Sequence, residues 1–159
     1  MPNLSFDIAS SKDFYYKLIA DYNDYKSDST SSRLAINCAM TAWHLGEWLY
    51  KEFMPLLNNT FSDNKIYMAH LENIECTALE IMHRITNGSK HCSMAGRTHS
   101  VQGTKKHVGD FSNDFSKEFD QTALLVKMDD GTEVWFEDEL DAVVAFWQDY
   151  IPRTFNLTL

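Results

Sequence analysis

The chain has 159 residues, of which 44% are hydrophobic and 13% aromatic, with three prolines and six glycines, which excludes a disordered or fibrous chain and suits one self-folding domain with long helices. Fourteen Lys and Arg against 23 Asp and Glu give a net charge of -9, a balance that keeps a protein soluble and repels nucleic acid or anionic lipid at long range. The three cysteines, Cys38, Cys76 and Cys92, are odd in number and lack CxxC spacing, so they read as reduced thiols rather than as a disulfide framework. The first residues carry no basic segment followed by an apolar run, and no window approaches 18 uncharged apolar residues, so a cytoplasmic protein with no membrane span is expected.

In chain order, Ser10-Ser11 is expected to cap a first helix with Phe14, Leu18, Tyr22 and Tyr25 on one side. The polar run 26–32 is the turn. A second helix runs from about residue 32 to 53 or 54, before Pro55, with Leu34, Cys38, Leu45, Leu49 and Phe53 in register. Its small face, Ala35, Ala39, Ala42 and Gly46, would let another helix come close, which makes it central. After an Asn/Ser/Asp loop, a third helix begins near Asp63 and carries Leu71, Ile74, Ala78, Ile81 and Ile85 as one stripe, with Asn87-Gly88 as its conventional stop. Residues 93–120 read as a long surface loop. Residues 122–128 and 132–136 have strand chemistry around the turn Asp129-Asp130-Gly131, giving a β-hairpin. Asp138 can cap a last amphipathic helix ended by Pro152, with Leu140, Val143, Val144, Trp147, Tyr150 and Ile151 on one face.

The expected fold is therefore mainly α: a bundle of three to four helices with a short β-hairpin and a C-terminal amphipathic helix, in a single domain over 1–159. The helical core spans about 10–92, the loop 93–120, and the hairpin and last helix 121–152. Most of the four tryptophans at these spacings should be core.

Polar residues sit one position before the apolar stripe on two helices, about 100° around the axis at the border of the core. They are Asn37, Thr41 and His44 on the second helix, and Asn73, Thr77, Glu80 and Arg84 on the third, continuing as Asn87 and His91 if that helix persists. Packing through the alanine face would let His44, Glu80 and Arg84 meet in one polar seam. The competing structural reading makes Glu80 and Arg84 an ordinary i,i+4 pair, worth ~0.2–0.5 kcal/mol on a surface, and His44 a core histidine.

Charge is unevenly distributed. Residues 81–109 contain no acid but five cations, Arg84, Lys90, Arg97, Lys105 and Lys106, so the rest of the chain holds -14. Four of the six histidines, His83, His91, His99 and His107, fall in the same window. Such an island suits a phosphate-bearing ligand, or else is a solvated loop balancing the acidic remainder.

Within it, Arg84-Ile85-Thr86-Asn87-Gly88-Ser89-Lys90-His91 places six residues between an arginine and a histidine near the end of a helix. In this the chain resembles the HEPN superfamily of small helical proteins, many of them ribonucleases of toxin and phage-defence systems, whose motif is Arg, four to six residues, then His. The likeness covers about residues 32–91. It implies Arg84 and His91 as catalytic residues, a homodimer in which two motifs meet, and RNA as the partner of the basic 84–107 segment. The family's polar residue after the arginine is Ile85 here, so Asn87 would take that role. The chain is also similar to a set of bacterial proteins in which a Thr-Ala-Trp-His-Leu and an Asn-Gly-Ser-Lys-His segment occur together, here at 41–45 and 87–91, a likeness that implies no activity.

The chemistry is coherent without a metal or cofactor. RNA cleavage needs a base for the 2′-hydroxyl, an acid for the leaving oxygen and positive charge beside the phosphate. His91 suits proton transfer near neutrality, Arg84 offers a cationic fork, and on a continuous helix Arg84, Asn87 and His91 project from one face. Lys90, Glu80 and His44 are the secondary, ligand-binding candidates. Of the alternatives, a carboxylate-bridged metal site would need its Glu-x-x-His motif twice, and Glu80-Ile81-Met82-His83 is a single copy. A mononuclear site from His44, His83, His91 and Cys92 lacks ligand spacing, and Cys92 beside His91 reads as an ordinary thiol rather than a nucleophile. A non-catalytic interaction module of antitoxin, immunity or adaptor type, binding a basic protein partner through the acidic surface, needs no catalytic residue.

Overall fold

Ser10 opens the first helix by a reciprocal cap: its hydroxyl accepts from Asp13 N (3.1 Å), and the Asp13 carboxylate accepts from Ser10 N (3.0 Å). Helix α1 (Ser11–Ser27) buries Tyr15, Leu18 and Tyr25 against α2 (Ser32–Glu52), which begins at the Ser31 cap and stops before the short α3 (Met54–Leu57) with Pro55 in its first turn. The computed structural model describes residues 4–92, 100–111 and 116–159.

Helix α2 is central, as its small face predicts. Ala35, Cys38, Ala39 and Ala42 are buried, and burial pushes the Cys38 thiol up to about 12. The Trp147 indole N–H donates to the Ala42 carbonyl (3.1 Å), an approach that a larger side chain would obstruct. A Cβ on Gly46 would stand 2.7 Å from Met68 Sδ, so this glycine admits the next helix, α4 (Asn64–His70), capped by Asp63.

The expected single third helix is broken. After α4 the chain makes a π turn, Leu71–Glu75, closed by Cys76 N–H donating to the Leu71 carbonyl (2.8 Å), then extends at Cys76 before α5 (Ala78–His91). The wide turn puts the apolar stripe out of phase: Leu71 is buried, but Ile74, expected inward, is 71% exposed. At the other end Asn87-Gly88 does not stop the helix. It runs to His91, and Cys92 takes the left-handed cap conformation (φ 59°), its N–H donating to the Gly88 carbonyl (3.0 Å). The buried face extends through Thr86, whose hydroxyl donates to Met82 O, and this packing outweighs the local Asn-Gly preference.

The segment expected as a loop contains a strand, β1 (Val101–His107), antiparallel to β2 (Ala123–Met128), which pairs in turn with β3 (Glu133–Trp135). The hairpin is thus part of a three-stranded sheet of order β1-β2-β3. Strand β1 is an edge, largely exposed, carrying Lys105 and Lys106 and irregular in register between Val101 and Gly103. Gly131 supplies the positive φ (86°) of the β2–β3 turn. Leu124 and Val126 of β2 join the helical core.

The last helix, α6 (Phe136–Phe155), starts two residues before Asp138, with Glu137, Asp138 and Glu139 all in its positive first turn. It also continues past Pro152. A proline this near the end forfeits only one intrahelical bond, and the final turn is held by Phe155 stacking on Phe53 (centroids 4.4 Å apart). The described residues therefore form a mainly α fold with a small antiparallel sheet and a C-terminal amphipathic helix, and no helix among them is long and apolar enough to cross a membrane. Cys38, Cys76 and Cys92 are free thiols, and Trp43 and Trp147 are buried.

Candidate functional site

The border stripe of α2 divides in two. Thr41 and Asn37 turn to α1: the Thr41 hydroxyl donates to Asp21 Oδ2 (2.6 Å) and accepts from Lys17 Nζ (2.6 Å), and Asn37 Nδ2 donates to Asp21 Oδ1 (3.2 Å). His44, one turn further, is no core histidine. Its side chain is 39% exposed, and its Nδ1 lies 2.8 Å from Glu47 Oε2.

A second pair of the same design comes from α5 and the π turn. His83 Nδ1 lies 2.8 Å from Glu72 Oε2, with the two side chains 21% and 11% exposed. The imidazole of His83 lies flat on the indole of Trp43, with ring centroids 3.9 Å apart and planes within 3°. A carboxylate only accepts, so each Nδ1 carries the proton of its bond, and each Nε2 is the nitrogen that remains for chemistry. Among the described residues neither Nε2 has a hydrogen-bond partner. The hydrogen bond from His44 holds the Glu47 carboxyl below its ordinary value, with smaller electrostatic help from His44 itself, Lys51 and His83, so both imidazoles act on this carboxylate.

Both pairs line one cleft of about 1010 Å³ between α2, α4, the π turn and α5. Ile36, Met40 and Met68 form apolar wall, while Lys65, Asn87 and Lys90 add polar groups. Of the residues singled out by sequence, His44, Asn87 and Lys90 meet here. Arg84 does not: Nη2 approaches Glu80 Oε1 at 3.4 Å, Nε is buried without an acceptor among the described residues, and the side chain borders a smaller depression of about 320 Å³ between α5 and β1. His91 is exposed, on the same face of α5 as Arg84 and Asn87 but roughly 10 Å further along the axis than Arg84. The polar seam of His44, Glu80 and Arg84 resolves into two separate contacts, the His44–Glu47 hydrogen bond and the Arg84–Glu80 ion pair.

The basic window is partly balanced locally. Lys105 pairs with Glu133 (2.6 Å) and His107 with Asp120, whereas Lys90 and Lys106 have no ion pair among the described residues. Arg97 and His99 lie outside the described residues. No group of three or more His, Cys, Asp or Glu able to hold a metal occurs among the described residues.

Sequence reasoning missed Trp43, Glu47 and Glu72 as site residues and met His83 only among the histidines of the basic window and in the two metal alternatives. The i,i+3 spacing of His44 and Glu47 could have signalled one pair. Glu72 and His83 are eleven residues apart across a broken helix, a spacing that carries no signal. Comparison with protein-family models, curated proteins and solved structures found no match to the chain.

Proposed function

We propose that the chain is a HEPN-like RNA-binding domain that cleaves RNA without a metal ion, with the Arg84, Asn87 and His91 face of α5 holding the substrate's phosphates. The observation that supports this reading is the persistence of α5 through Gly88, which keeps Arg84, Asn87 and His91 at i, i+3 and i+7 on one face, with Lys90 on the flank toward the cleft. Arg84 is the central grip. Its contact with Glu80 at 3.4 Å is long, and a phosphate oxygen can compete for that guanidinium with two closer hydrogen bonds. Asn87 donates to a second oxygen, His91 closes on the same backbone, and a second copy of the chain would extend the strip into a continuous track.

The test is binding and cleavage of a mixed single-stranded RNA in EDTA at low salt. The wild-type chain is expected to bind and cut it, and the Arg84→Ala/His91→Ala double variant to bind at least tenfold more weakly. Equal RNA affinity in wild type and double variant would overturn the reading.

One observation favours a second reading, a regulatory or adaptor protein. Met54, Leu56, Ile66 and Ile74 are exposed along α3, α4 and the π turn, and in an acidic chain such apolar groups suit contact with a basic protein. Loss of all RNA binding together with retention of a bound basic protein during purification would select it.

A further inference from the structure

We infer that the α2–α5 cleft is a metal-free acid–base centre in which the His44–Glu47 and His83–Glu72 pairs cleave a ribose phosphodiester. The inference rests on the RNA reading for its substrate class, and goes beyond it by moving the proton transfers from the α5 strip into the cleft.

Four features converge. Each imidazole has its Nδ1 fixed by a carboxylate at 2.8 Å, which sets the tautomer and leaves Nε2 as the working nitrogen. The two pairs stand on different elements yet line the same cleft, as a reaction needing one base and one acid requires. Lys65 and Lys90 in that cleft match the two carboxylates in number, so a phosphate entering it meets no net negative wall when the imidazoles are neutral. Last, the exposed Ile36 and Met40 side chains give the cleft apolar surface for a base, with room for a nucleotide. A structural role does not account for the His44–Glu47 pair, since a pair this exposed contributes little to stability.

The step balances without a co-reactant. The 2′-oxygen forms a bond to phosphorus as its proton passes to one Nε2, and the phosphorus–O5′ bond breaks as the other imidazolium gives its proton to O5′. The products are a 2′,3′-cyclic phosphate and a 5′-hydroxyl. Lys90 and Asn87 lie where they can hold the non-bridging oxygens as charge builds on them.

Two small probes test this: a ribodinucleotide, and uridine 3′-(4-nitrophenyl phosphate), whose leaving group needs no protonation. His44→Ala and His83→Ala are each expected to slow dinucleotide cleavage by about 10²–10⁴-fold, with the loss read in kcat. His44→Gln and His83→Gln serve as second variants should an alanine variant fail to fold. The nitrophenyl ester should restore one variant, identifying the acid, and leave the other slow, identifying the base. A deoxyribose dinucleotide should be inert. Wild-type protein that binds RNA but cleaves neither probe, or variants that cleave at the wild-type rate, overturns the assignment of the cleft. Cleavage of the nitrophenyl ester without binding of RNA polymer instead removes the α5 strip and leaves the histidine pairs standing.

Discussion

Asn37, Thr41 and His44 occupy one stripe of one helix, yet the first two end in a closed network and the third in an open cleft. Around Asp21 the polar groups are spent on one another: Thr41 is 3% exposed and gives and receives a hydrogen bond, and Lys17 closes the ring at 2.6 Å from Asp21. Around His44 and His83 each imidazole uses one nitrogen and keeps one. A position at the border of the core is therefore not what makes a site. Unspent hydrogen-bonding capacity facing a space large enough for a ligand is the distinguishing property.

If that distinction holds, substitutions on the two sides must separate activity from stability. The largest effect is expected from His83→Ala, a loss of about 10²–10⁴-fold in RNA cleavage, with a stability cost from the lost stacking on Trp43, about 0.5–1.5 kcal/mol, and from the hydrogen bond taken from the mostly buried Glu72 carboxylate. Glu72→Gln should lower kcat and leave KM in place, because the carboxylate orients the imidazole and does not reach substrate. A matched rise in KM would mean that it binds ligand directly.

On the closed side, Thr41→Val should cost roughly 1–3 kcal/mol in urea unfolding, since it strips a partner from a nearly buried network, and should leave cleavage unchanged. Smaller again, Gly88→Ala is expected to stabilise the chain by about 0.4–1 kcal/mol, because Gly88 sits inside α5 and nothing lies within 4 Å of an added Cβ. Destabilisation there would mean that the helix ends at Gly88 and that His91 leaves the face of Arg84. The smallest effect concerns acid. The Glu47 carboxyl is held below its ordinary value of 4.5 by His44, so its contribution is fully present above that value and fades as the pH falls through the lower folded one. Glu47→Gln should flatten the acid limb of the stability profile, measured as the thermal midpoint against pH.

Much of the helical scaffold was legible because its signals are local. The Ser10 cap, the alanine face of α2 and Pro55 are each written within a few residues. The break at Leu71–Glu75 was hidden because Ile74 keeps helical spacing while facing solvent, so periodicity alone reported a helix that packing does not support. Strand β1 was hidden for the opposite reason: an exposed edge of Gln, Thr, Lys and His has no apolar alternation, and its pairing to β2 is visible only in space. In the cleft, His44 and Asn87 could be singled out as border residues and Lys90 as a cation of the acid-free window, but Glu72 and Trp43 find His83 through tertiary packing of a kind that no short window of sequence contains.

The wide turn at Leu71–Glu75 makes the Glu72–His83 contact a matter of chain length as much as of side-chain identity. Removing one residue there would narrow the wide turn to an ordinary helical one and rotate the segment before it by about 100° relative to the chain that follows, which would carry the carboxylate away from its imidazole. A lineage could thus gain or silence such a dyad through a three-nucleotide insertion or deletion while every chemically important amino acid is retained. A deletion variant of this kind, assayed for dinucleotide cleavage, is expected to behave like His83→Ala despite keeping both partners in its sequence.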